Sequence, residues 1–135
     1  MRFMMIMYPK DYATAKAGTV PDFKDMEAMG KYNEELGKAG VLVALDGLTP
    51  PSTMSARVTF KNGKSKVTDG PYAETKEQLG GIQVLEARDL NHAIQLISQS
   101  PGVKLNCGTI EIRPAADIKE IITESEQRRR KDISR

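Results

Sequence analysis

The run FMMIMY at residues 3–8 decides the fold, because it is apolar throughout and is closed by Pro9. A short apolar run without polar alternation is typical of a strand that is buried on both faces. It is far shorter than the about 20 residues that a membrane-spanning helix needs. No small-residue cleavage site follows it, so it also lacks the form of a signal peptide. Residues 3–8 therefore predict the first strand of a sheet in a globular domain.

The next apolar pattern along the chain has helical spacing. A helix is predicted to begin within TVPD at residues 19–22, where a hydroxyl N-cap precedes an early proline and a carboxylate. It is predicted to end at Gly40, with an apolar face made of Phe23, Met26, Met29 and Leu36. A second helix is predicted to begin at an Asp89 N-cap and to present Leu90, Ala93, Ile94 and Ile97.

Further strands are predicted over residues 41–45, 81–87 and 109–113, and Asn62-Gly63 predicts a β-hairpin between residues 57–60 and 65–68. Ile118, Ile121 and Ile122 mark a last short helix. Without the hairpin and the last helix, the order is the split βαβ pattern of a ferredoxin-like sheet, so the predicted class is α+β with an inserted hairpin. Two helices cover one sheet face only. A partner subunit is the simplest cover for the other face, which predicts a homodimer.

Charge is unevenly distributed along the chain. The 135 residues contain 20 Lys and Arg against 18 Asp and Glu, a net charge of +2. The last ten residues hold five of the basic and two of the acidic residues, so the remaining body has a net charge of −1. Aromatic residues make up 5% and Trp is absent. This composition disfavours nucleic-acid binding. Such binding stays an alternative through the basic run Arg128, Arg129, Arg130 and Lys131. That run is expected to be a solvated chain end.

Cysteine and histidine each occur once. A single Cys107 excludes an internal disulfide framework and a cysteine-cluster zinc site, and a single His92 excludes a His–His metal motif. His92 is predicted to lie on the surface of the second helix, and Cys107 to be a small buried or edge hydrophobe. Gly80-Gly81 lacks the strand–loop–helix context of a phosphate-binding loop. We therefore expect no metal, no cofactor, no membrane association and a cytoplasmic protein.

The densest unusual chemistry lies in the stretch VTDGPYAETKEQLGG at residues 67–81. Asp-Gly-Pro is turn chemistry, and the loop that follows gathers carboxylates, a phenol and an ammonium group. Two interpretations stay open. In one, the side chains cap the local backbone and the glycines allow a tight crossover. In the other, Asp69 is a catalytic acid or base, Tyr72, Glu74 and Lys76 bind a ligand, and Tyr8 forms part of the pocket wall.

The same stretch resembles the signature of the YCII-related proteins, in particular the branch with an Asp-Gly-Pro-Phe motif, with Tyr72 where Phe is usual. The resemblance also takes in ELGKAGVL at residues 35–42 and GTIEIRP at residues 108–114. It covers residues 1–115 and leaves residues 116–135 as a C-terminal helix and charged tail. The resemblance implies a ferredoxin-like dimeric α+β barrel, in which two sheets pack face to face.

A branch of that family is thought to use a His–Asp pair, with His on the first helix and Asp at the end of the second. The corresponding positions here are Met29 and Ser100, so the pair is not carried over. The sequence predicts a small-molecule enzyme or ligand-binding protein with a cleft beside residues 69–76. The alternatives are a non-catalytic, dimeric partner-binding module and a nucleic-acid accessory protein that acts through the basic tail.

Overall fold

The computed structural model describes residues 1–12, 15–16, 18, 20, 22–51, 54–69, 79–102 and 108–134. The strands and helices of this part of the chain are, in order, β1 (Arg2–Pro9), α1 (Phe23–Lys38), β2 (Leu42–Gly47), β3 (Ala56–Lys61), β4 (Lys64–Asp69), β5 (Gly81–Glu86), α2 (Leu90–Ser98), β6 (Gly108–Pro114) and α3 (Ile118–Ile133).

The main sheet has the strand order β2-β5-β1-β6, and each neighbouring pair is antiparallel. In the centre of the sheet, Met5 of β1 lies opposite Gln83 of β5 and Ile112 of β6. Strands β3 and β4 form a separate two-stranded hairpin between β2 and β5. This arrangement confirms the predicted ferredoxin-like α+β class with an inserted hairpin.

The two helices α1 and α2 cover one face of this sheet. Phe3, Met5 and Leu85 are at most 2% exposed on that face, and the helices contribute buried Tyr32, Leu36, Ala93 and Ile97. Residues between them in the strands point to the other face, which we call the open face: Met4, Ile6, Ile82 and Val84 are all half-buried there. Within one chain the described residues seal only one face of β1, so its burial on both faces depends on the predicted partner subunit and stays a prediction.

Helix α1 ends as predicted but begins later. Gly40 has a φ of +75°, and the amides of Gly40 and Val41 donate to the carbonyls of Gly37 and Leu36, which is a Schellman cap. Asp22 occupies the N-cap position without a side-chain cap hydrogen bond, whereas Thr19 and Pro21 lie outside the described residues.

The buried side of α1 also differs from the prediction. Phe23 and Met26 are 76% and 53% exposed, and the residues that α1 buries are Tyr32 and Leu36. Met29 also packs against the core, as predicted, but an apolar side chain in the first turn of the helix finds no core beneath it.

The cap of α2 is confirmed in detail. The Asp89 side chain accepts a hydrogen bond of 2.8 Å from the His92 amide, and His92 Nδ1 accepts one of 3.0 Å from the Arg88 amide. His92 is half-exposed and stabilises the first turn of α2 through this reciprocal pair, which resembles a capping box.

The hairpin turn and the last helix follow from local sequence. Asn62 and Gly63 have φ values of +53° and +73°, as a two-residue hairpin turn requires. The Asp117 side chain accepts hydrogen bonds from the amides of Lys119 and Glu120 and so caps α3.

Helix α3 extends to Ile133 and includes the basic run, whereas the sequence predicted a short helix followed by a solvated chain end. Exposed i,i+4 ion pairs, Glu124 with Arg128 and Glu126 with Arg130, support this extension. Among the described helices, none is long and apolar enough to cross a membrane.

Candidate functional site

Four chain segments meet at one end of the main sheet, which we call the loop end. Pro9 of β1 lies opposite Gly108 of β6, and Gly81 of β5 lies opposite Met7 of β1 and Gly47 of β2. After the hairpin, the described chain resumes at residues 79–80, and Gly80 lies at this end. This end is therefore where the loop chemistry predicted from the sequence would meet the sheet.

Gly80 holds the returning chain against the end of β1. Its amide donates a hydrogen bond of 2.8 Å to the Met7 carbonyl, and its carbonyl accepts one of 2.9 Å from the Leu48 amide. A Cβ atom at this position would lie 2.2 Å from Cγ of Pro9. Glycine is therefore required by close approach, in agreement with the interpretation of these glycines as a tight crossover.

Gly108 meets the same strand from the other side. Its φ of +124° is a conformation that side-chain-bearing residues rarely adopt, and a Cβ atom would lie 2.2 Å from the Tyr8 carbonyl oxygen. The backbones of β1 and β6 are thus in contact where β6 begins, and this contact places Tyr8 at the loop end.

Tyr12 ties the segment after β1 to the segment after β2. Its hydroxyl donates a hydrogen bond to the Leu48 carbonyl oxygen, and burial raises the pKa of the phenol. A neutral phenol at this position keeps donating its proton to the backbone, so the wall of the loop end is held by hydrogen bonds from Tyr12 and Gly80.

Tyr8 and Glu111 form a polar pair on the open face near the loop end. The Tyr8 hydroxyl donates a hydrogen bond of 3.2 Å to Glu111 Oε2. Tyr8 lies opposite Thr109 in the β1–β6 register, and Glu111 lies opposite Ile6, so the two side chains reach each other diagonally across neighbouring strands.

The sequence analysis identified Tyr8 but missed Glu111. The alternation of β6 places Thr109, Glu111 and Arg113 on one face, which is a signal that the sequence does contain. The β1–β6 register that brings Glu111 to Tyr8 is set by tertiary pairing, and no local pattern specifies it.

Apolar side chains of the open face lie beside this polar pair. Met4 and Ile6 of β1 alternate with the buried residues of that strand, and they lie opposite Val84 and Ile82 of β5. All four are half-buried. A half-exposed apolar surface with a phenol and a carboxylate at its margin is suited to an organic molecule that has an apolar body and a polar substituent.

The other residues predicted for the site lie mostly outside the described residues. Asp69 ends β4, where its backbone pairs with Ala56, but its side chain is outside what the structure describes. Tyr72, Glu74 and Lys76 are outside the described residues, as is Cys107. Their roles stay predictions.

Met29 and Ser100, the two positions that the sequence analysis matched to the His–Asp pair, lie side by side. Ser100 Oγ is 3.7 Å from Met29 Sδ, and the Gly102 amide donates to the same oxygen at 3.2 Å. Ser100 is only 4% exposed. A thioether has no proton to exchange, so in this chain the pair is a partly buried contact that joins α1 to the end of α2.

A depression lies at the end of the sheet opposite the loop end. It is a groove of about 490 Å³ between the start of β1 and the start of α3, lined by Met1, Arg2, Ala115, Ala116, Asp117 and Ile118. The Asp117 carboxylate in it is already used as the helix cap. Within the described part of the chain, no group of three or more His, Cys, Asp and Glu side chains could hold a metal ion.

The chain is similar to known proteins over most of its length. It is 29% identical over 119 residues to an uncharacterised protein of Rhizobium meliloti (strain 1021). That alignment covers 86% of this chain and 93% of the relative. Its fold is similar to that of a 5-chloro-2-hydroxyhydroquinone dehydrochlorinase from Burkholderia phenoliruptrix AC1100, solved in complex with 2,5-dihydroxybenzoquinone. That similarity has a TM-score of 0.50 at 13% identity and covers 86% of this chain and 94% of the enzyme. Residues 1–119 match the sequence profile of the YCII-related domain. The chain therefore belongs to the YCII-related domain family.

Proposed function

We propose that this YCII-related protein binds a small organic molecule in a cleft at the loop end of the sheet, beside residues 69–76. In this proposal Asp69 is the acid or base, Tyr72, Glu74 and Lys76 contact the ligand, and Tyr8 forms part of the wall. The match of residues 69–72 to the Asp-Gly-Pro-Phe motif, with Tyr72 in place of Phe, further supports membership of that branch of the family.

The hydrogen bond between Tyr8 and Glu111 is the observation that carries this proposal. It lies at the end of the sheet to which Gly80 returns the chain from the predicted loop, because the Gly80 amide is bonded to Met7, the neighbour of Tyr8. The described chain therefore resumes, at Gly80, beside the end of the strand that carries this phenol–carboxylate pair, which supports a site there.

The chemistry of these groups supports binding, with acid–base catalysis as its extension. A carboxylate is an acceptor and a phenol is both donor and acceptor, so the pair orients a polar substituent in a definite direction. Ile6 and Ile82 offer an apolar contact to the body of the same molecule. Asp69 adds a second carboxylate that is able to accept or return a proton at the substituent.

A thermal-shift screen of small organic molecules tests the proposal. A ligand at a hundred times its dissociation constant adds about 2.7 kcal/mol to apparent stability, which is a readily measured shift. We expect Asp69→Asn to abolish the shift caused by a hit, and Tyr8→Phe and Glu111→Gln to reduce it. The matched control is Glu34→Gln, since Glu34 is a surface carboxylate on α1 that pairs with Lys38.

The outcomes separate a site from a structural loop. Equal ligand shifts in Asp69→Asn, Tyr8→Phe and the Glu34→Gln control would contradict the proposed site. If Asp69→Asn instead lowers stability by about 1 kcal/mol and leaves the ligand shift unchanged, Asp69 is a turn residue and the structural interpretation of the loop holds.

A second candidate function is a non-catalytic, dimeric module that binds a partner through the open face. The half-buried Met4, Ile6, Ile82 and Val84 favour it, because apolar strand residues without a covering layer are typical of an interface. Sedimentation velocity at micromolar concentration tests the homodimer that this function needs. A single species near 14.9 kDa would contradict it.

A further inference from the structure

The hairpin is a two-stranded ribbon that is separate from the main sheet. Among the described strands, β3 and β4 pair with each other and with no third strand, and every residue from 58 to 68 is exposed. Strands of six residues at about 3.4 Å per residue make a ribbon about 20 Å long. Both faces of the hairpin are therefore open to solvent over most of its length.

One face of this ribbon carries only basic and hydroxyl side chains. Strand alternation and the register place six residues on it: Arg57 opposite Thr68, Thr59 opposite Lys66, and Lys61 opposite Lys64. We call this surface the lysine face. None of its six residues is acidic or aromatic, and the apolar Val58, Phe60 and Val67 lie on the other face of the ribbon.

The charges of the lysine face repel one another. Lys61 lies directly opposite Lys64, and Lys66 follows Lys64 two residues further along the same strand. Like charges directly opposite each other on two paired strands are destabilising. Within the described part of the chain these three lysines form no ion pair, whereas Lys31 and Lys38 of α1 are each paired with a glutamate. An anionic partner would therefore relieve a repulsion that the described chain leaves in place.

The near-neutral charge that disfavours nucleic-acid binding by the whole chain is an average over two unlike parts. Residues 56–69 contain four basic residues and one acidic residue, a net charge of +3. Removing this +3 from the −1 of residues 1–125 leaves −4 for the rest of the body. At about 0.1 M salt, charges more than about 10 Å apart are largely screened from each other, so the tip of a ribbon about 20 Å long presents its own positive charge.

The residue types of the lysine face are those that contact the phosphate backbone of nucleic acids. Lysine ammonium groups and threonine hydroxyls both donate hydrogen bonds to phosphate oxygens. A protein partner would be expected to use aromatic or apolar anchors at the centre of its interface, and the lysine face offers none. A single-stranded nucleic acid stacks its bases on aromatic side chains, which this face also lacks. These residue types therefore favour a duplex.

The shape of the hairpin favours B-form DNA among duplexes. The major groove of B-form DNA is about 12 Å wide and admits a two-stranded β-ribbon, whereas side chains cannot read the deep, narrow major groove of A-form RNA. Long lysine side chains on such a ribbon reach the phosphates that border the groove. The ribbon thus matches the duplex in both shape and charge.

We propose that the lysine face of the hairpin binds double-stranded DNA, with Lys61, Lys64 and Lys66 on phosphates. Because these contacts are made to the backbone, binding does not depend on base sequence. The surface is separate from the proposed ligand cleft, and either proposal can fail without the other.

Fluorescence anisotropy of a short labelled DNA duplex, titrated with the full chain at several salt concentrations, tests the proposal. Each neutralised phosphate contributes about −0.9 to the slope of log K against log salt concentration, so three lysine contacts predict a slope of about −2.7. A slope near zero, or no binding at low salt, overturns the proposal.

Paired variants with equal loss of charge identify the surface. Lys61→Gln with Lys64→Gln is expected to reduce the magnitude of the salt slope by about two, because each phosphate contact accounts for about one. The matched control is Lys31→Gln with Lys38→Gln, which removes the same charge from the exposed side of α1 and is expected to leave the slope unchanged. Equal effects of the two pairs would be a response to net charge alone and overturn the proposal.

The basic run at the end of α3 is the competing surface on this chain. Arg129→Gln with Arg130→Gln removes an equal charge there and is expected to leave the salt slope unchanged. If this pair reduces the slope and the Lys61 and Lys64 pair does not, DNA binding belongs to the C-terminal run and the proposal is wrong.

Thermal unfolding separates lost binding from lost structure. The Lys61→Gln, Lys64→Gln variant is expected to melt no lower than the wild type, because it removes a like-charge pair. The charge-conserving variant Lys61→Arg, Lys64→Arg is expected to bind the duplex as the wild type does. Loss of binding in this arginine variant, with the melting temperature unchanged, would contradict an electrostatic contact with phosphates.

Two further probes separate DNA from other polyanions. Polyglutamate and vesicles that contain phosphatidylserine are each titrated with the same chain at low salt. We expect both to bind more weakly than the duplex, since neither presents a groove that fits the ribbon. Binding of either probe as tight as that of the duplex, with the same loss in the Lys61→Gln, Lys64→Gln variant, overturns the assignment to DNA.

Discussion

The two faces of the main sheet are built from alternate residues of the same strands, yet one chain seals only one of them. On the helix-covered face Met5 and Leu85 are fully buried, whereas Met4 and Val84 on the open face are half-buried. The residue types differ little between the faces, so hydrophobicity alone does not separate them. What separates them is that both crossover helices pack on the same side of the sheet.

The largest expected effect comes from a pair of neighbours on opposite faces. Leu85→Ala removes a side chain with no exposed area from the helix-covered core and is expected to cost about 2–5 kcal/mol. Val84→Ala is expected to cost less in a single chain, because Val84 is only half-buried. Urea denaturation of both variants measures the difference. Equal losses at low protein concentration would show that the open face is sealed within one chain.

The next effect compares two glycines with positive φ. Gly108→Ala is expected to destabilise by about 1–3 kcal/mol through backbone strain, and its Cβ would also lie 2.2 Å from the Tyr8 oxygen. Gly63→Ala, in the hairpin turn, meets nothing within 4 Å and is expected to lose about 1 kcal/mol. Thermal unfolding of both variants checks the order. A smaller loss at Gly108 than at Gly63 would contradict the close approach of β6 to β1.

A pH-dependent effect is expected beneath the helices. The Tyr32 hydroxyl donates a hydrogen bond of 2.6 Å to the Leu96 carbonyl, and burial raises the pKa of Tyr32 to about 12. A phenol whose pKa is higher in the folded chain than in the unfolded chain stabilises the fold fully below pH 10, and this stabilisation is lost as the pH rises towards 12.

We expect Tyr32→Phe to lose about 1 kcal/mol at pH 8, because the hydrogen bond to Leu96 is removed. The same variant should show less additional destabilisation between pH 10 and 11.5 than the wild type. Urea denaturation at these pH values measures both quantities. Parallel pH profiles for the two proteins would show that Tyr32 is not the group that titrates.

The smallest effect is expected on the open face at the end away from the loops. The hydrogen bond from Arg2 to Glu86, with the nearby N-terminal ammonium, lowers the pKa of the Glu86 carboxyl. A lowered folded-state pKa stabilises at neutral pH, and the contribution disappears as the pH falls through the folded-state value. Glu86→Gln is therefore expected to reduce the melting temperature slightly at pH 7 and not at pH 3. A reduction that persists at pH 3 would assign the loss to packing.

Much of the fold could be predicted because its signals are local. The Asn62-Gly63 turn, the Asp89 cap and the Gly40 stop depend on a few consecutive residues, and the structure confirms all three. The start of α1 was less accurate, because the exposed Phe23 and Met26 follow the helical period without lying over the core. The spacing of these residues alone does not distinguish a helical turn that packs on the core from one that extends beyond the core into solvent.

The candidate site was only partly accessible from the sequence. Tyr8 could be identified because it ends an apolar strand beside a proline. Glu111 could not, because its contact with Tyr8 depends on the antiparallel register between β1 and β6, strands that are more than 100 residues apart in the chain. The adjacency of Met29 and Ser100 likewise needed the packing of α1 against the end of α2.

The sequence by itself determined the order of strands and helices, the hairpin and the class of fold, since hydrophobic period, turn residues and caps act over short distances. Only the tertiary structure decided which face of each strand is sealed, which side chains meet across strands, and where the hairpin and α3 leave the sheet. The physical reason is that strand register and helix placement are chosen by the summed packing of residues far apart in the chain, and no single segment contains that information.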